Sequence, residues 1–554
     1  MGVGSRQRVK DDDGLLGSSA GLAHFRSVEN KIQNAVDQTA HFTGFGKFHC
    51  KLFVISGLIF MNTGFGVSST GIIVPSAPCD FQMRTVDIGR LTASPMLGMV
   101  CGSYFWGCLA DMKGRKVALL AALFLDGFAG VFSSLVPNLL AFTCLRFLNG
   151  FAITGQCAML FPYLGEFQPS NVREKILCWM EMAWTIGITV LPLLGWLVIP
   201  MSFRYTLGNF SFASWNLFVL LCAVPSISIA IALLYFPESP KYLIDDGQES
   251  RAIEVLSIMY AENTGNPPED YPVKCIANSD DPANAMIVNG GDFVASEKLK
   301  RKKKKLVKMV KDIYEHTLTI LRPPYLTTTL LTSIIQFSIT SSYYTLMVWF
   351  PELFQRFAEF EKEHPSQSAT VCDVSEIKPI NVSLVDSVAD FSCNEKVQSS
   401  VYIHTIFLGL ACIPTSIWLP LCIGQLGYRF FLVFSTAFSG AAAIGLFFVT
   451  SSTQNLILSC VFEALTSMGV SVVYCILVDF YPTHLRVIAA SFSALCGRSG
   501  AFLGNFMFGY FLDVHCVVPI AVVAGLLFCG GLLSMCLPRR NVDPGKEERK
   551  SASN

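Results

Sequence analysis

Polar positions in this chain come mainly as punctuation between apolar stretches. About twelve such stretches, centred near 51–75, 92–110, 117–136, 139–164, 177–200, 214–236, 325–350, 400–422, 429–450, 455–480, 487–512 and 517–537, are each long enough to cross a bilayer. Roughly 20 residues of helix span the ~30 Å hydrocarbon core. Helix is the expected form, because lipid offers no partner for backbone N–H and C=O groups. Six stretches, a polar segment and six more predict an all-α membrane protein with twelve transmembrane helices in two six-helix halves. The expected divisions are a tail (1–50), a first half (51–240), a linker (241–324), a second half (325–538) with a long loop at 352–399, and a tail (539–554). Paired halves of this kind are how many secondary transporters are built, with the solute site near the midplane between them.

Composition agrees. Of 554 residues, 52% are hydrophobic and 15% charged, against about 25% charged in soluble domains. Lys+Arg and Asp+Glu are each 41, so net charge excludes little, but the charges are segregated. Lys113, Arg115, Lys116, Arg173, Lys175 and Arg486 fall in short loops of one side, joined by "KLKRKKKKLVKMVK" (298–311) and Arg539, Arg540, Lys546 and Lys550. Basic residues retained on one side predict that these loops and both termini are cytoplasmic; Arg84, Arg90 and Arg204 lie on the other side. "MGVGSRQRVKDDDG" lacks the apolar core of a cleavable signal peptide. Most of the nineteen cysteines lie inside apolar runs, as small packing residues do. Cys372 and Cys393 share the long non-cytoplasmic loop, where an oxidising compartment makes a disulfide between them the expectation. The sequon at Asn381 is the favoured glycosylation site over that at Asn209.

Three motifs carry more. Between runs 2 and 3 stands Gly107-x-Leu109-Ala110-Asp111-x-x-Gly114-Arg115-Lys116. Gly107 is expected to permit close helix packing, Asp111 to meet a basic group or a helix N-terminus, and Gly114 to make the turn. Run 4 holds Arg146 with Gly150 and Gly155, and a guanidinium inside a span needs a partner or water. Glu166 with Arg173 recurs in the second half as Asp479 with Arg486, each expected to lock one cytoplasmic bundle end. "PESPKYL" follows run 6, with Ser239 placed to cap a helix. These motifs resemble those of the major facilitator superfamily, and "PESPKYL" resembles the signature shared by its sugar porters, organic-ion transporters and synaptic vesicle glycoprotein 2 group. Segments 71–81, 202–226, 341–354 and 491–504 look like the equivalent regions of the last group. The resemblance implies the twelve-helix fold and a cytoplasmic gate of Gly107, Asp111, Gly114, Arg115, Arg146, Glu166, Arg173, Asp479 and Arg486. The chain departs from that group in a much shorter loop after run 7. Its first helix has no acid, and Asn62 and Thr63 cannot relay a proton. Val470 stands where helix 10 of the group has tryptophan.

By the same analogy the solute cavity is lined by Asn149 and Gln156 on helix 4, Glu181 and Trp184 on helix 5, Gln336 and Tyr343 on helix 7, and Glu463 and Arg498 on helices 10 and 11. An acid beside an aromatic can hold a cation. Glu463 and Arg498 lie too deep to snorkel, so they either pair with each other or face the cavity. Two functions stand side by side. One is a secondary transporter of a small organic solute (an organic ion, zwitterion or sugar-like molecule) by alternating access, with or without a coupling ion. The other is a non-transporting vesicle or membrane scaffold that keeps the fold. No triad or metal spacing supports an enzyme, and no cofactor, metal or nucleic acid is expected. The membrane is a vesicle membrane or the plasma membrane. Further expected partners are anionic lipid headgroups at 298–311 and sorting adaptors at "DDDGLL" (11–16); a plain topogenic charge run and a plain tail are the alternatives.

Overall fold

A computed structural model describes residues 45–169, 172–207, 210–273, 311, 314–364, 367, 369–376, 397–481 and 483–537. Six long helices form the first half: α1 (Lys47–Ile73), α2 (Thr85–Lys113), α3 (Arg115–Ser133), α4 (Leu139–Gly165), α5 (Arg173–Val198) and α6 (Ser214–Leu234). Six form the second: α7 (Leu326–Glu363), α8 (Ser399–Leu426), α9 (Tyr428–Phe447), α10 (Ser452–Phe480), α11 (Thr483–Phe511) and α12 (Val517–Met535). Nine of these are long and apolar enough, by length and composition, to cross a membrane. Of the remaining three, α2 and α7 both pack on α11, so their polar residues are spent on protein rather than lipid. Pro95, Pro192 and Pro351 lie inside helices; at Pro95 the freed Leu91 carbonyl accepts from Ser94 Oγ of the same helix at 2.9 Å. A two-stranded antiparallel hairpin, β1 (Arg204–Leu207) and β2 (Phe210–Ala213), joins α5 to α6.

One face of the bundle carries the α2–α3 turn and the linker; it is called the linker end here, and the opposite face the loop end. The linker enters through two helices, Pro240–Asp245 and Glu249–Thr264. The second buries Ala252, Val255, Leu256 and Met259 and holds the start of α1 by Asn263 Oδ1, which accepts from Phe48 N at 3.0 Å. At the loop end α7 continues to Glu363, so residues 352–363 are helix rather than the loop expected there. Its 38 residues reach about 57 Å, well beyond a ~30 Å core.

The halves meet along α2 with α11, α5 with α8, and α1 with α7. At the loop end they share one apolar core, in which Ile72, Ile73 and Leu91 of the first half cluster with Trp349, Phe350 and Phe354 of the second. There α2 and α11 touch backbone to backbone: a Cβ on Gly89 would stand 2.7 Å from Gly509 Cα. Toward the linker end the cores part. Leu119, Leu160, Leu164 and Leu256 belong to one, which buried residues of the second half enter only from the middles of α7, α8 and α11 (Tyr343, Met347, Val348, Cys412 and Ala501), and Ile320, Leu432, Val472 and Leu485 belong to another.

Candidate functional site: a central cavity between two latches

Each end carries an ion-pair cluster built around one i, i+4 pair, Asp111–Arg115 or Glu352–Arg356. At the linker end Gly114, at φ 107°, breaks α2 from α3, and Arg115 begins α3 facing back. It pairs with Asp111 at 2.9 Å and with Glu166 at 3.6 Å, donates to the Ala110 carbonyl and lies over the Tyr242 ring. Ser239 caps the following helix by accepting from Tyr242 N, while its hydroxyl donates to Glu166. Glu238 accepts from the backbone N–H groups of Lys116 and Ser239, both at 2.9 Å. Burial first, then the Asp246 and Glu238 charges, push the Tyr242 phenol up to about 12. It therefore stays protonated and donates to the Met112 carbonyl. At the loop end Arg356 on α7 binds Glu352 at 2.9 Å and Asp513 at 3.0 Å. It also donates to Thr85 Oγ1, at the start of α2, at 3.1 Å. With side-chain exposures of 4% and 8%, the Arg356–Glu352 pair is costly to break from either side, and Thr85 ties it to the other half.

Between the latches lies a narrow cavity that both halves wall. Ser68 and Ile72 come from α1, Ile188 and Pro192 from α5, Met347 and Pro351 from α7, Thr405, Leu408 and Gly409 from α8, and Glu463 from α10. Glu463 is 1% exposed, and neither carboxylate oxygen has a hydrogen-bond partner among the described residues. Tyr343 and Cys412 lie within its field. Further polar contacts cross the halves: Trp184 Nε1 donates to Tyr343 Oη (3.4 Å), Ser471 Oγ to Glu181 Oε1 (3.1 Å), Arg498 Nη1 to Ser103 Oγ (2.9 Å), and the Thr185 and Ser416 hydroxyls meet at 3.3 Å. Of the eight residues expected to line the cavity, only Glu463 is in its wall. A buried acid without a partner, in a slot whose other polar side chains are the Ser68 and Thr405 hydroxyls, favours a ligand that brings its own positive charge and hydrogen-bond donors.

A family model described as "Sugar (and other) transporter" matches residues 28–311. The chain belongs to that family. Among curated proteins it is 26% identical to synaptic vesicle glycoprotein 2C of Homo sapiens, over 97% of this chain and 86% of that one. It is also 26% identical to synaptic vesicle glycoprotein 2A of Rattus norvegicus, over 97% and 83% respectively. Among solved structures it resembles the inward open conformation of the xylose transporter XylE from E. coli, with TM-score 0.62, 13% identity and coverage of 89% of this chain and 98% of that one. The partially occluded inward open conformation matches with TM-score 0.61. The fold is that of the major facilitator superfamily, and this is a multi-pass membrane protein of a transporter family.

Several expected site residues of this family member lie elsewhere than foreseen. Asn149 and Gln156 face Asp126 on α3, inside the first half, and are absent from the lining of the central cavity. Gln336 bonds Thr340 on its own helix at 2.9 Å and packs beside Gly497 of α11. Among the described residues Glu463 has no ion pair with Arg498, which is turned to Ser103 of α2. Arg146 does not belong to the linker-end gate. Because α4 starts at the loop end, Arg146 sits two turns from that end, donating to Ser133 Oγ (2.7 Å) and Ser69 Oγ (3.4 Å). Glu166 takes Arg115 and Ser239 as partners rather than Arg173, whose Nε donates to the Gly165 carbonyl at 2.9 Å. A Cβ on Gly107 would meet nothing within 4 Å, so that glycine mediates no close packing here, whereas Gly150 and Gly155 press on Pro95 and Trp106 of α2. Cys372 is bonded to Cys516, at the start of α12, and not to Cys393. Folding brings the short helix Val371–Glu376 against the α11–α12 turn, which spacing in the chain does not reveal. Cys393, Asn209, Asn381, "DDDGLL" and 298–310 lie outside the described residues, as do the side chains of Asp479 and Arg486.

Asp126 is the residue that sequence reasoning passed over. It is the single acid within run 3, and the rule that an intramembrane charge marks a site would have singled it out.

Proposed function

We propose that this protein is a secondary transporter that carries a small cationic or zwitterionic organic solute by alternating access between its two halves. The linker end is taken as cytoplasmic, in keeping with its Lys113, Arg115 and Lys116. The observation that carries the solute class is Glu463: buried at 1% exposure, without a hydrogen-bond partner among the described residues, and lining the slot between the halves. Glu181 adds a second acid at the α5–α10 contact, beside the aromatic pair Trp184 and Tyr343. Joined cores at the loop end and parted cores at the linker end fit a chain resting closed to the outside. XylE, named as a xylose transporter and a proton:xylose symporter, supports solute transport as a class and leaves the solute to the residues of this cavity.

The test is uptake by the full chain in proteoliposomes, using tetraethylammonium, a betaine, xylose and an organic anion as probes. Saturable uptake of a cation or zwitterion is expected. Glu463→Gln should lower it at least about tenfold, equivalent to about 1.4 kcal/mol, with unchanged reconstitution. Uptake of xylose alone would overturn the charge assignment. Saturable binding without flux of any probe would favour the scaffold reading.

A further inference from the structure

The central cavity leaves one buried acid unused. Asp126, 3% exposed on α3, is held by side chains from three other helices of its half. Asn62 Nδ2 of α1 donates to Oδ2 at 3.1 Å, Gln156 Nε2 of α4 at 3.0 Å, and Ser226 Oγ of α6 at 2.6 Å. Asn149 Nδ2 of α4 donates to Oδ1. A second narrow cavity opens beside the carboxylate, lined by Asn62, Ser69, Arg146, Asn149 and Cys222. Two buried polar atoms on its walls, Arg146 Nε and Asn149 Oδ1, have no hydrogen-bond partner among the described residues. Arg146 is itself 3% exposed. It reaches Asp126 through its field without an ion pair.

We propose that Asp126 is a proton-binding site of this protein, and that its occupancy couples α1, α3, α4 and α6. The proposal concerns the coupling ion, and it stands whether or not the solute is a cation. The atoms that contact the carboxylate are all hydrogen-bond donors, and no second carboxylate contacts it among the described residues to help hold a metal cation. The titratable groups facing it, among the described residues, are Arg146 on α4 and Cys222 on α6; α1 presents the amide Asn62. While Asp126 is charged, it and Arg146 compensate one another across the cavity in a low-dielectric interior. When a proton binds to a carboxylate oxygen, that oxygen becomes a donor, the amide and hydroxyl donors facing it lose an acceptor, and Arg146 is left uncompensated. The four helices then have reason to shift together.

Infrared spectroscopy of the full chain in liposomes tests this directly, with the proton as probe. A titration from pH 8.5 to 5 at constant Na⁺ should develop a carboxylic C=O stretch that Asp126→Asn removes. The doubly substituted Glu181→Gln, Glu463→Gln protein should keep it. Ser226→Ala, which deletes one donor to the charged form, should move the band's midpoint up by about half a pH unit. A band indifferent to Asp126→Asn overturns the proposal. So does a response to Na⁺ at fixed pH with none to pH. Where Asp126→Asn fails to fold, an unmoved midpoint in Ser226→Ala overturns it equally.

Discussion

Arg115 joins Asp111, Glu166, a backbone carbonyl and the Tyr242 ring, so its loss leaves the largely buried Glu166 and the more exposed Asp111 without their cation. Arg115→Ala should cost about 1–3 kcal/mol of stability, read as a lower melting temperature in detergent. Lysine should restore only part of it, because a point charge cannot serve the fork of contacts that a guanidinium reaches. An unchanged melting temperature would mean that the latch is not a structural bond. At this scale, legibility followed the range of the interaction. Asp111 with Arg115 is a one-turn contact that the motif spells out. Glu463 was legible as an acid in apolar text, though its solitude was not, because the facing of Arg498 toward Ser103 depends on helix rotation. Arg146 was assigned to the wrong end for a reason that counting spans exposes: α4 runs from the loop end to the linker end.

Helices themselves were the most legible objects, since runs of about 20 apolar residues leave little choice of form. What the runs hid was how closely each pair approaches. The contrast between Gly107 and Gly150 makes this measurable. A Cβ on Gly150 would fall 2.5 Å from the Pro95 carbonyl carbon, backbone that cannot yield, whereas at Gly107 it meets open space. Gly150→Leu is therefore expected to abolish stable folding. Gly107→Ala should be neutral or stabilising by up to about 1 kcal/mol, as for alanine replacing glycine inside a helix. Size-exclusion profiles and melting curves of the two variants check both. The α7–α8 loop offers a second test at this scale. With Cys372 joined to Cys516, peptide mapping of non-reduced protein should recover the two in one linked peptide that reductant separates. A peptide linking Cys372 to Cys393 would instead restore the pairing expected from their shared loop. The Cys372–Cys516 bond spans 144 residues, and only the completed second half brings its ends together.

For the molecule as a whole, the sequence implied two halves but not which end they close. Closure at the loop end rests on the shared apolar core, on Arg356 reaching Thr85, and on α2 meeting α11 at Gly89 and Gly509. Alternating access requires all three to part while the linker-end cores come together. Gly89 is the most sensitive of them, because its neighbour across the contact is backbone and has no rotamer with which to retreat. Gly89→Leu should hold the loop ends apart and shift the population toward an outward-open state, a shift set by the difference in strain between the two states. Ser68 lines the central cavity from α1, so Ser68→Cys reports access to it. In sealed vesicles of known orientation, a membrane-impermeant maleimide added from the loop-end side should label Ser68→Cys slowly, measured above the native cysteines. Adding Gly89→Leu should speed that labelling at least about tenfold, and Arg356→Ala should act in the same direction. Probe uptake should fall in the Gly89→Leu protein, because a transporter that cannot close one end cannot complete its cycle. Equal labelling with and without Gly89→Leu would mean that the α2–α11 contact does not seal the cavity. The loop-end core would then be static packing between the halves, and the moving boundary would have to lie elsewhere in the bundle.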